Sequence, residues 1–126
     1  KLTEIYCMFN QLTRLPEWHN LSNLTEINCS CNKLTSLPEW HKLFNLTEID
    51  CQSNKLTSLP TWINLRRLNK IIYHNNEIEY IPPNILRIIN RQKDGQNIYS
   101  DGQNVHNNHI QTCHQPFLRQ HPLVFH

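Results

Sequence analysis

The sequence has no alanine and only two glycines, Gly95 and Gly102. A phosphate-cradling loop needs clustered glycines, so nucleotide chemistry of the P-loop or dinucleotide type is excluded. No Gly-x-Ser-x-Gly elbow occurs either. No run approaches the about 18 consecutive apolar residues that a membrane-spanning helix requires. These residues contain no secretory signal pattern. An excess of one charge is missing as well, with 12 Lys and Arg against 10 Asp and Glu and a net charge of +2. With both signs interspersed, neither a nucleic-acid-binding surface nor an acidic tail is indicated.

Asparagine and isoleucine are abundant where alanine and glycine are scarce, a skew expected of an AT-rich genome. The same skew explains the four Asn-x-Ser/Thr sequons at Asn20, Asn23, Asn28 and Asn45, which arise by chance when Asn and Thr are common. The five cysteines are an odd number for a disulfide scaffold. Three of them, Cys7, Cys29 and Cys51, are evenly spaced and read as small buried hydrophobes. That usage points to a reduced, intracellular protein without cofactors.

The organising feature is a repeat. Leu24-Thr-Glu-Ile27-Asn-Cys29-Ser-Cys-Asn32-Lys-Leu34-Thr-Ser-Leu37-Pro38-Glu-Trp40 recurs, lightly edited, from Leu2 and Leu46 and more loosely from Leu68. A fixed period of 22 residues signifies a solenoid of stacked supersecondary units. The order L-x-x-I-x-C-x-x-N-x-L resembles the leucine-rich repeat signature over about three quarters of the chain. The resemblance implies an α/β repeat fold. This would be a right-handed horseshoe-shaped solenoid with short parallel strands on its concave face, irregular or 3-10 convex segments, and a C-terminal helical cap. The expected division is a solenoid over residues 1–90 and a cap and tail over 91–126. Lys1 leads straight into the first repeat with no polar cap and no initiator methionine, so a fragment of a longer protein is expected.

Within each repeat, period-2 alternation turns Ile5 and Cys7 inward and Glu4 and Tyr6 outward, on strands about 4.8 Å apart. Pro16, Pro38, Pro60 and Pro82 then fix φ where the chain leaves the strand layer. Asn10, Asn32, Asn54 and Asn76 stand one per repeat just past the strand. An amide both donates and accepts, so these are read as structural asparagines that satisfy backbone groups of their own loop and the next. Trp18, Trp40 and Trp62 lie two residues beyond the proline and are read as core filling, with a carbohydrate or peptide platform as the lesser alternative. In the fourth repeat Tyr73 replaces the cysteine and Ile85 is expected to stand in for the tryptophan. Asn84 is a plausible N-cap for a helix of about two turns that closes the stack.

The outward strand positions give three rows: Glu4, Glu26, Glu48, Lys70; then Tyr6, Asn28, Asp50, Ile72; then Met8, Ser30, Gln52, His74. Three aligned glutamates repel one another. The row either docks a basic partner segment, with Tyr6, Met8 and Phe9 as apolar anchors, or survives from duplication because exposure makes its cost small.

The tail holds one constellation resembling a metal site. His106, His109 and Cys113 share a face if 106–115 is helical, with His114 or His121 as a fourth ligand. No zinc-finger spacing is matched and Ile110 lies on the same stripe, so no metal is expected. Cys113 has no identifiable base beside it.

These readings converge on a non-catalytic module that binds a protein through its concave strand face, with no nucleic-acid or membrane partner. An exposed first strand would also permit self-association. The alternatives are the substrate-reading part of a ubiquitin-ligase-type protein whose catalytic or F-box segment lies elsewhere, and a zinc-binding tail. The Asn- and Ile-rich repeats and the tail string from Gln96 to Gln111 are similar to leucine-rich repeat proteins of giant amoeba-infecting DNA viruses such as mimivirus. That similarity implies a place in the host cytoplasm.

Overall fold

In the first three repeats the short segment Glu-Ile-x is extended between a threonine and a buried cysteine, and in the fourth Lys70-Ile71-Ile72 is extended between Asn69 and the buried Tyr73. The computed structural model describes residues 1–95. It contains β1 (Glu4–Tyr6), β2 (Glu26–Asn28), β3 (Glu48–Asp50), β4 (Lys70–Ile72) and α1 (Pro83–Gly95). The strands form one open parallel sheet in sequence order β1-β2-β3-β4. Glu4, Glu26, Glu48 and Lys70 are register partners across it, as are Ile5, Ile27, Ile49 and Ile71. A register set by a 22-residue period leaves no freedom to slip, because a shift by one residue would expose every isoleucine.

The core is a set of rows running along the stack. Ile5, Ile27, Ile49 and Ile71 are at most 1% exposed, and Cys7, Cys29 and Cys51 are fully buried beside them. Leu34 and Leu56, Leu24 and Leu46, and Leu43 complete the interior. A fully buried Leu or Ile contributes roughly 1.5–3 kcal/mol, against about 1 kcal/mol net for a hydrogen bond. Burial therefore holds the stack together, and polar contacts satisfy the backbone groups at its turns. In the first repeat the equivalent Leu2, Leu12, Trp18 and Leu21 are only partly buried.

The asparagine ladder is built differently from the expectation. Asn32 Oδ1 accepts from Leu12 N at 3.0 Å, while its Nδ2 donates to Cys7 O, Cys29 O and Ser30 O at 3.0–3.1 Å. Asn54 and Asn76 repeat the pattern one and two units on. Each amide thus ties its own loop to the preceding repeat and not to the following one. The residue before each of these asparagines is left-handed: Phe9, Cys31, Ser53 and Asn75 have φ of 55–62°. That turn swings the amide under the loop, at roughly 1–2 kcal/mol of strain for a non-glycine residue.

The tryptophans stack as an indole column. Ring centroids are 5.9 Å apart between Trp18 and Trp40 and 6.1 Å between Trp40 and Trp62, with planes within 12°. Trp40 Nε1 donates to Pro16 O and Trp62 Nε1 to Pro38 O, both at 2.9 Å. Core filling is therefore their role, and the partly buried Trp18 ends the column. Glu39 supports the next turn by accepting from Thr61 Oγ1 and Trp62 N.

The closing helix is longer than expected and starts earlier. It spans 13 residues, with Pro83 at its first position and Pro82 O accepting from Ile85 N and Leu86 N. Pro82 is the capping residue, so Asn84 is not. The residue in register with Trp62 is Asn84, whose amide donates to Thr61 O at 2.7 Å. Ile85 and Ile89 instead enter the core from the helix. Gln92 then seals the last strand: its Oε1 accepts from Ile71 N at 2.7 Å and its Nε2 donates to Ile71 O at 3.0 Å. One side-chain amide takes the place of a fifth strand's backbone, leaving Ile71 with no unsatisfied edge groups. The expected helix over 106–115 lies outside the described residues.

Candidate functional site

The outward face of the sheet collects the residues expected to bind. Register brings Glu4, Glu26 and Glu48 side by side, followed by Lys70. Lys70 Nζ lies 4.0 Å from Glu48 Oε2, the one ion pair among the described residues. Tyr6 Oη donates to Glu26 Oε1 at 3.1 Å. Burial, then the neighbouring Glu48 charge, pushes the Glu26 carboxyl above its usual range. Burial and then the Glu26 charge likewise keep the Tyr6 phenol protonated, so it remains a donor. The row is an acidic strip held partly away from water with one cation at its end.

The second row is less exposed than expected. Asn28 Oδ1 accepts from Ser30 N and Ser30 Oγ at 3.1 and 2.7 Å. Asp50 is 8% exposed and Ile72 7% exposed, so they form the floor of the surface and not its contact points. In the third row Ser30 is buried, while Met8, Gln52 and His74 are half-buried. Gln52 belongs functionally with Asp50, since its Nε2 donates to both carboxylate oxygens at 3.0 and 3.1 Å. This pairing was legible in the sequence, because residues two apart on a strand share a face.

Burial raises the Asp50 carboxyl to about 6 against the Gln52 hydrogen bonds, which lower it. A raised carboxyl favours folding where it is protonated. Its stabilising effect is complete below the unfolded value of 3.8 and is lost as pH rises through about 6. A shift of this size corresponds to about 3 kcal/mol. Asn28, the register partner, already shows that an amide fits, accepting from the backbone two residues on as Asp50 does. Asp50→Asn is therefore expected to raise stability at pH 7.5 by about 1–3 kcal/mol and to flatten its dependence between pH 4 and 6. Urea melts at several pH values check this, and an unchanged pH profile would refute the assignment.

Cys31 is disulfide-bonded, against the expectation of a reduced chain, whereas Cys7, Cys29 and Cys51 are free buried thiols. Burial raises Cys7 to about 11, and raises Cys29 and Cys51 as well, so all three stay as poorly nucleophilic thiols. Among the described residues no group of three His, Cys, Asp or Glu is arranged to hold a metal ion. The candidate ligands His106, His109, Cys113 and His114 lie outside the described residues. No described helix is long and apolar enough to cross a membrane.

A strand every 22 residues, an interior amide ladder and a sheet covered at one end by a helix define a solenoid of stacked repeats. A family model of leucine-rich repeats in two copies matches residues 1–40, and a model of a single leucine-rich repeat matches residues 45–65. The chain is a leucine-rich repeat protein. No curated protein matches it. Leucine-rich repeats generally mediate protein–protein interaction and are typically non-catalytic.

Proposed function

We propose that this chain is a non-catalytic recognition module whose outward strand face docks a basic segment of a partner protein. The observation that carries the reading is the in-register row Glu4, Glu26, Glu48, with one cation 4.0 Å from its end. Like charges on neighbouring strands destabilise the sheet, and the Glu26 carboxyl is raised first by burial and then by the Glu48 charge beside it. A lysine or arginine seated between Glu26 and Glu48 would reverse it, so binding and relief of repulsion are the same event. Tyr6, Met8 and Phe9 flank the strip at its β1 end and supply apolar contact. The scaffold suits this role, because stacked repeats present an extended strand face without moving parts.

The test is a titration of the full chain with labelled peptides that alternate lysine with hydrophobic residues, set beside a Glu26→Lys/Glu48→Lys variant. Both changes lie on the solvent side, and circular dichroism verifies that the variant folds. The expected result is a loss of affinity of at least about tenfold, with added salt weakening the parent complex. Equal affinity of parent and variant would remove the strip from the binding surface.

A further inference from the structure

The repeats are near copies, so positions that break the copy stand out. At the loop entering each strand, Ser22-Asn23 becomes Phe44-Asn45 and then Arg66-Arg67. The asparagine has a structural use there: Asn45 Nδ2 donates to Ser22 O of the preceding repeat at 2.9 Å. In the third repeat that place is taken by Arg67, and the inter-repeat bond is given up for a guanidinium. Neither Arg66 nor Arg67 has an ion-pair partner among the described residues, and both are exposed. Their backbone N–H groups donate to no described residue, because the turn's bond runs from Leu68 N to Leu65 O. The two arginines border an open pocket of about 400 Å³ with Phe44, Asn45 and Asn64. Asn64 is fixed in place by donating to His41 O, and Phe44 is 50% exposed as the apolar wall. Lys42, also exposed, lies on the same loop as Phe44.

We infer that this rim pocket is a second binding site, for an acidic peptide segment that carries an aromatic or aliphatic residue beside its carboxylates. Paired guanidiniums match carboxylates through bidentate hydrogen bonds, and the exposed Phe44 takes the neighbouring apolar side chain. Two guanidiniums at one pocket, with Lys42 elsewhere on the Phe44 loop, suit a short peptide and fall short of the extended basic stripe that nucleic acid requires. The site is opposite in sign to the acidic strand face, so the module carries two surfaces of complementary preference. It does not depend on the proposed strand-face function.

Fluorescence anisotropy of the full chain with a labelled peptide alternating glutamate with phenylalanine and leucine tests the site. The parent is expected to bind it at least about tenfold more tightly than Arg66→Glu/Arg67→Glu does, and Phe44→Ser to weaken binding by about threefold. Glu26→Lys/Glu48→Lys is expected not to weaken it, which separates this site from the strand face. Arg66→Ala/Arg67→Ala serves as a second variant, and circular dichroism verifies folding of each. The inference is overturned if the arginine variants bind as the parent does, if the parent shows no saturable binding, or if the same peptide with lysine for glutamate binds Glu26→Lys/Glu48→Lys, whose strand face is blocked, as tightly as the glutamate peptide does. A peptide of glutamate and glycine that binds as tightly would remove Phe44 and leave only a nonspecific charge effect, which also overturns it.

Discussion

Asn54→Asp is expected to be the most damaging single change of one polar side chain, costing about 3–5 kcal/mol at pH 7. The asparagine amide donates to Cys29 O, Cys51 O and Gln52 O at 3.1–3.2 Å and accepts from Leu34 N at 3.0 Å. An ionised carboxylate keeps the acceptor and loses both N–H donors, so its second oxygen would face three carbonyl oxygens in a site only 8% exposed. Protonation relieves the repulsion, so the loss should shrink on acidification. Asn54→Ala should cost less, about 2–3 kcal/mol, by leaving those groups unpaired without adding charge. Asn10→Ala should cost less again, because Asn10 donates only to Cys7 O and Met8 O of its own repeat. Urea denaturation at pH 7 and 4 gives the order. An Asn10→Ala loss equal to that of Asn54→Ala would show that ties between repeats are not what the ladder contributes.

Trp40→Ala is expected to cost about 3–5 kcal/mol, the usual range for truncating a large buried aromatic. Trp40 is fully buried, stacks on an indole at either side, and donates to Pro16 O. Its loss opens a cavity in the middle of the column that Trp62 cannot fill without leaving its own hydrogen bond to Pro38 O. Trp18→Ala, at the partly buried end of the column, should cost roughly half as much or less. Chemical denaturation of both variants decides the matter. Equal losses would mean that the tryptophans act through local turn geometry and not through the column. That alternative is worth separating, because Trp18, Trp40 and Trp62 all have left-handed φ of 43–52°.

The acidic row was fully legible. Once the period was known, the register partners Glu4, Glu26, Glu48 and Lys70 followed from counting, and the sheet has that pairing. The role of the asparagines was legible from their chemistry, but the direction of their reach was not. Whether an amide bonds the repeat before or after it depends on the left-handed residue just ahead of it, and nothing in Phe9, Cys31 or Ser53 announces positive φ. The burial of Asp50 was hidden for a related reason: alternation marks it as outward, and only its neighbours in three dimensions remove it from water. Arg66 and Arg67 carried a visible signal, the break in an otherwise repeated loop, but its meaning required the hydrogen bond that Asn45 makes in their place.

By itself, then, the sequence determined the periodic frame of this protein: the 22-residue unit, one strand per unit, the parallel register, the buried rows and the presence of an amide ladder. Contacts between identical units recur at a fixed separation, so they are written as a period and can be read as one. Tertiary structure alone decided what happens once. Gln92 closing the edge of β4, the helix beginning at Pro83, the indole column's partly exposed end at Trp18 and the raised carboxyl of Asp50 all depend on neighbours that no periodic pattern names. The left-handed backbone at the tryptophans and ahead of each ladder asparagine recurs along the stack and is still not announced by residue type, because the packed repeats hold those residues where their local preference would not.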